Sequence, residues 1–147
     1  MVEYALVVTL TLAFACPCSP AEQEGQSMGT AITIKIGDEV FAATLADNAT
    51  AMAFKRLLPL SITMTELNGN EKFARLRGTV PAQASTPASI HRGDLMLYGS
   101  DTLVLFYKSF STTYSYTKIG KVDDPARLEV ALGVGNVAVT VEAKREK

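Results

Sequence analysis

The sequence predicts a mainly β domain whose antiparallel strands close into a barrel. Short apolar runs alternate with period two and are separated by turns rich in Gly, Asn and Asp. One stretch has the spacing of a substantial helix, and there is no β-α-β rhythm of the kind that builds a parallel sheet. A chain of 147 residues is long enough for one domain with a real hydrophobic core. Closing its sheet hides strand edges that would otherwise recruit other chains.

The N-terminal part reads differently. Ala5 to Ala15 (ALVVTLTLAFA) is apolar but shorter than the ~18 residues of a spanning helix. It ends in Ala13-Phe14-Ala15, a small-x-small pattern that signal peptidases read, and Cys16 follows. This resembles a bacterial lipoprotein signal, which implies export, a lipid on Cys16 and attachment at the cell envelope. Residues 1–15 are therefore assigned to a signal with its h-region, 16–29 to a flexible tether, 30–143 to the folded domain and 144–147 to a polar tail. The alternative is a start at Met28 and a cytoplasmic domain. Metabolic labelling with a lipid precursor, with Cys16 found as the mature N-terminus, is the outcome expected for the anchored form. Cys16 and Cys18 flank Pro17. An extended Cys-Pro-Cys offers neither the spacing nor the converging Cβ vectors of a disulfide, so no staple is expected.

Within the domain, Ile32, Ile34 and Ile36 share one face of a strand, and Gly37-Asp38 turns the chain into a second strand from Val40 to Leu45. Asp47 or Asn48 caps a helix running to Arg56, with Ala51, Phe54, Leu57 and Leu58 spaced to bury one side and Pro59 as its stop. Leu60, Ile62 and Met64 alternate in a third strand, and Asn68-Gly69-Asn70 supplies a turn. Phe73, Arg75 and Arg77 alternate in the next strand. Val80 to Ser89 is a Pro-containing surface loop. A hairpin from Leu95 to Tyr107 follows, entered through a turn that Asp94 fixes by a side-chain bond to the backbone. Asp124 and Pro125 are placed to open a short second helix to Leu132, and Val137 to Val141 makes the last strand.

Composition excludes several functions. With 14 basic and 15 acidic side chains the net charge is -1, and no basic stripe is present, so nucleic acid is not an expected partner. His91 is the only histidine and the domain has no cysteine, so no metal site is expected. No nucleophile-base pair stands out, and neither a catalytic residue nor a cofactor is assigned.

Four blocks carry a family resemblance: AATLADN (Ala42 to Asn48), LLPLSITMTELNGNEKF (Leu57 to Phe73), GDLMLYGSDTLVLFYKSF (Gly93 to Phe110) and YSYTKIGKVDD (Tyr114 to Asp124). In these the chain resembles the bacterial cyclophilin-like domain family, over nearly all of Thr30 to Val141. The resemblance implies a closed eight-stranded antiparallel cyclophilin-like β-barrel with one main α-helix and a short second helix. It implies little about activity. Laid on the cyclophilin hairpin, Tyr98, Val104 and Phe106 face outward to a ligand while Leu95, Leu97, Leu103 and Leu105 face into the barrel. Val104 then stands where a pocket phenylalanine would be, and the FHR…FMIQGG-type run of true cyclophilins is absent.

The expected function is a binding module for a small molecule or peptide segment, using an outer-face aromatic groove. Its lining would be Met64, Tyr98, Val104, Phe106 and Tyr114, with Tyr116 nearby and with Asn70, Glu71 and Arg75 as a polar rim. The competing reading makes the aromatics cross-strand packing pairs and Glu71-Lys72 a solvated ion pair. An alternative function is a divergent peptidyl-prolyl isomerase using Arg75, Arg77 or Arg92, and a further one is an accessory domain for a redox or hydrolase partner.

Overall fold

A computed structural model describes residues 29–145. The signal segment, Cys16 and all of the tether except Gly29 lie outside the described residues.

The isoleucine alternation forms β1 (Ala31–Ile36), and a turn with Gly37 at φ 56° leads into β2 (Glu39–Leu45). After α1 (Ala49–Lys55) come β3 (Leu60–Leu67) and β4 (Glu71–Arg75), joined through Asn68 and Gly69 at positive φ. An irregular stretch reaches the short β5 (Ser89–Ile90), followed by the hairpin β6 (Asp94–Tyr98) and β7 (Thr102–Phe106). The remaining elements are β8 (Phe110–Ser111), β9 (Thr117–Val122), α2 (Leu128–Leu132) and β10 (Val137–Ala143). Eight strands close in the order β1-β10-β3-β4-β7-β6-β9-β2, and β5 pairs with β8 in a separate two-stranded sheet. Every neighbouring pair around the barrel is antiparallel.

Period-two alternation separates two apolar compartments. Ile32, Ile34, Ile36, Leu95, Leu97, Leu103 and Leu105 fill the barrel, together with Phe54 of α1. The alternate residues Met96, Val104 and Phe106 form a second cluster on the outer face with Ile90 and Tyr116. The hairpin thus has the two faces expected for it.

Three local expectations need correction. Met64 lies inside the barrel with Leu60 and Ile62, only 1% exposed, so it does not reach an outer groove; Thr63 and Thr65 hold the outward positions of β3. Helix α1 stops at Lys55, which leaves Leu57 beyond it and exposed. Asp124 does not cap α2: its Oδ1 accepts from Ala126 N at 3.1 Å, and a tight turn from Pro125 to Leu128 precedes the helix, whose N-cap is Arg127.

Two local expectations hold. Asn48 caps α1, accepting from Ala51 N at 2.8 Å, and its Nδ2 donates to Lys118 O at 2.8 Å, tying the helix to β9. Asp94 accepts from His91 N at 2.8 Å and fixes the entry to β6.

Strands β2 and β9 approach closely at Gly120. A Cβ there would sit 2.5 Å from the Thr44 carbonyl oxygen and 3.1 Å from Leu45 Cα, both backbone. Gly120→Ala is therefore expected to cost about 2 kcal/mol through forced separation of the two strands. A urea midpoint within error of the parent would show that the strands yield freely.

Candidate functional site

Strand β4 is two-sided. Lys72 and Ala74 point into the barrel, while Glu71, Phe73 and Arg75 occupy its outer face. The register sets Phe73 opposite Val104 and Arg75 opposite Thr102, and then Val104 opposite Met96 and Thr102 opposite Tyr98. Strands β4, β7 and β6 therefore supply a continuous floor. The chain after β8 provides a wall, held by Thr112 N donating to Ala88 O at 2.9 Å and by reciprocal bonds between Ser85 and Tyr116 of 2.9 and 3.0 Å. Floor and wall enclose a groove of about 660 Å³.

Asn70, Glu71, Arg75, Tyr98, Val104 and Tyr114 all border this groove. Phe106 does not: it is fully buried beneath the floor, packed edge-on to Tyr116 at 5.4 Å and against Phe110 at 5.6 Å. Its role is to support Tyr116 from below. Phe73, Phe110 and Leu67 also border the groove and were not singled out from sequence. Phe73 was legible, because it shares the period-two face of Glu71 and Arg75; Phe110 follows a strand break and carries no such signal. Neither Arg77, Arg92 nor His91 borders the groove.

The aromatic side chains run in sequence along the wall and floor. Tyr114 meets Tyr98 at 6.5 Å, nearly perpendicular, and Tyr98 meets Tyr116 at 5.8 Å. Tyr98 and Tyr114 are exposed, whereas Tyr116 is buried, and its hydroxyl is pushed up by that burial and by the Glu71 carboxylate.

The polar groups behave unlike a solvated rim. Glu71 is 7% exposed, and its carboxyl has no hydrogen bond or ion pair among the described residues. Burial, with help from the Glu66 charge, raises its pKa. Lys72 is not its partner. The two are adjacent but point to opposite faces, and Lys72 Nζ is engaged by Glu66 at 2.7 Å, Gly133 O at 2.8 Å and Gly135 O at 2.6 Å. The expected solvated pair is thus two separately buried charges. Beside Glu71, Asn70 Oδ1 is buried without a partner among the described residues. Arg75, at the far end, makes a long ion pair with Asp101 at 3.9 Å.

A carboxyl on a largely buried side chain, partly desolvated and with no protein partner, costs stability when it ionises. Glu71→Gln is expected to raise stability by about 1 kcal/mol at neutral pH. Because the folded-state pKa lies above the unfolded one, the native protein holds the extra proton between them, and its stability falls as pH rises through that window. The difference between variant and parent should therefore open with rising pH. Equal melting temperatures across pH 4 to about 8 would show that Glu71 is solvated.

The model of the cyclophilin-like family matches residues 34–142. The chain belongs to the cyclophilin-like family. Among solved structures, this cyclophilin-like protein is similar to a hypothetical protein from Archaeoglobus fulgidus, known from a solution structure. The two share 13% identity, with a TM-score of 0.53 over 82% of this chain and 99% of the other. At that identity the likeness is one of fold. No curated protein matches the chain.

Proposed function

We propose that this cyclophilin-like barrel is a binding module that holds a small molecule or short peptide segment in the groove over β4, β7 and β6. The observation that carries the proposal is the groove itself: about 660 Å³, bordered by Tyr98, Tyr114 and Tyr116 and by Glu71 and Asn70. That volume suits a small ligand, and an apolar lining with a few convergent polar groups is the usual make-up of such sites. In the competing reading these aromatics only pair strands, but the exposure of Tyr98 and Tyr114 favours a surface that contacts something else.

The test is an amide-resolved NMR titration with a set of small aromatic and aliphatic fragments. Shift changes are expected to gather at Phe73, Tyr98, Val104 and Tyr116. Changes scattered over the barrel, or gathered elsewhere, would remove the proposal. The isomerase alternative has one supporting observation, Arg75 on the groove's border. It requires this side chain to reach a bound prolyl amide, and 80% of its surface faces solvent. A prolyl-peptide isomerisation assay showing no acceleration by micromolar protein would eliminate it.

A further inference from the structure

We propose that the groove selects a small organic cation, a protonated primary or secondary amine on an aromatic or apolar body, with its ammonium on Glu71 and Asn70 and its body against the tyrosine wall. This rests on the binding-module proposal and specifies the chemistry of the ligand.

The first observation is the partnerless carboxyl. Glu71 is more than nine-tenths buried, borders the groove and has no hydrogen bond or ion pair among the described residues. The Glu71 oxygens are not fully enclosed and keep access to solvent at the groove, where a cationic donor would take the place of water. The chain does not supply one. Lys72, the nearest cation in sequence, is fully buried on the other side of the sheet and saturated by Glu66 and two loop carbonyls. Arg75 shares the outer face but lies four residues along the strand, about 13 Å at the usual rise.

The second observation is independent of charge. Tyr114, Tyr98 and Tyr116 follow one another with ring centroids 6.5 and 5.8 Å apart, and all border the groove. Aromatic faces carry negative charge density and attract cations, most strongly where water is excluded. A carboxylate and aromatic faces bordering one groove thus favour the same sign of ligand.

The third observation narrows the cation. Asn70 Oδ1 is a buried acceptor without a partner among the described residues, immediately beside Glu71. A primary ammonium offers three N–H donors and can satisfy both residues, whereas a quaternary ammonium offers none. Charge complementarity and two acceptors without protein partners on residues bordering the groove therefore favour protonated amines.

The test is a titration of the protein with 2-phenylethylamine hydrochloride, alongside the neutral 2-phenylethanol and the trimethylated ammonium. The amine is expected to shift Tyr98, Val104 and Tyr116 and to bind about tenfold or more tightly than the alcohol, since hydrogen bonds to charged groups are the stronger ones. Glu71→Gln should remove that advantage. Should this variant fail to fold, Tyr98→Leu, at an exposed position, should weaken both compounds through the shared body, and the amine about threefold more than the alcohol. Equal binding of amine and alcohol in the groove, or an amine preference that survives Glu71→Gln, would overturn the inference while leaving the groove a binding site. Tighter binding of the trimethylated compound would overturn the role of Asn70 and the N–H donors. Tenfold tighter binding of a lysine-bearing peptide than of the free amine would overturn assignment to a small molecule. Shifts confined to other surfaces would remove both the inference and the groove.

Discussion

Replacing Lys72 by methionine should lower stability by about 3 kcal/mol, toward the lower end of what breaking a buried ion pair costs. The side chain is fully buried, and its Nζ joins three acceptors at one end of the barrel: Glu66 and the carbonyls of Gly133 and Gly135. Methionine fills the stem's space but leaves those carbonyls and one carboxylate oxygen without their donor. Glu66 retains a bond from the Tyr107 hydroxyl at 2.7 Å and one from Gly69 N at 2.9 Å, and it is partly exposed, which moderates the loss. Burial pushes the Glu66 carboxyl up, yet the hydrogen bonds from Lys72 and Tyr107 outweigh it and hold the pKa below the ordinary value. Stability from this arrangement is therefore present above the unfolded carboxylate pKa and is lost as pH falls through the lowered folded one. The gap between parent and variant should narrow in acid. Adding Glu66→Gln to Lys72→Met should cost less than the sum of the single changes, as a double-mutant cycle in urea would show. Additive costs would mean that the pair is not coupled.

The second large effect is expected at Phe54, where alanine should cost about 4 kcal/mol. Helix α1 has seven residues, too few to be stable alone. It is held by what it buries, and Phe54 is fully buried within the barrel cluster. The Asn48 cap and its bond to Lys118 O fix where the helix begins, but they cannot replace the lost ring. A shift in urea midpoint at constant m is expected; a fall in m would indicate that the helix has come away from the native state. A loss below about 1.5 kcal/mol would show that α1 lies outside the cooperative core.

How much of this could be read from sequence depended on whether a signal was local. The hairpin β6-β7 was legible because its leucines fall on odd positions and the aromatic and other bulky residues on even ones, and the sheet keeps that phase. Strand β9 was harder. Its register against β6 shifts between Leu95 and Met96, so alternation breaks at Ile119 and Gly120. Met64 shows a different limit. Its phase in β3 was right, but phase does not say which face is the interior, and the groove lies over the neighbouring strands. For Glu71 and Lys72, adjacent charges suggested solvent, while the pleat sent one to each side of the sheet. The wall from Phe110 to Tyr116 has no periodic signature, because backbone bonds to Ala88 and Ser85, far away in the chain, fix its path.

The division of the hairpin into two compartments also bears on how such a protein can change. Odd positions of β6 and β7 hold the barrel together, and even positions meet the groove or support it. Point substitutions at Tyr98 or Val104 can thus reshape the groove without repacking Leu97 or Leu103. A single inserted or deleted residue would do the opposite: it would exchange the two sets, exposing leucines and forcing aromatics inward. Variation in groove shape among related chains should therefore appear as substitutions within these strands, with length changes confined to the turns.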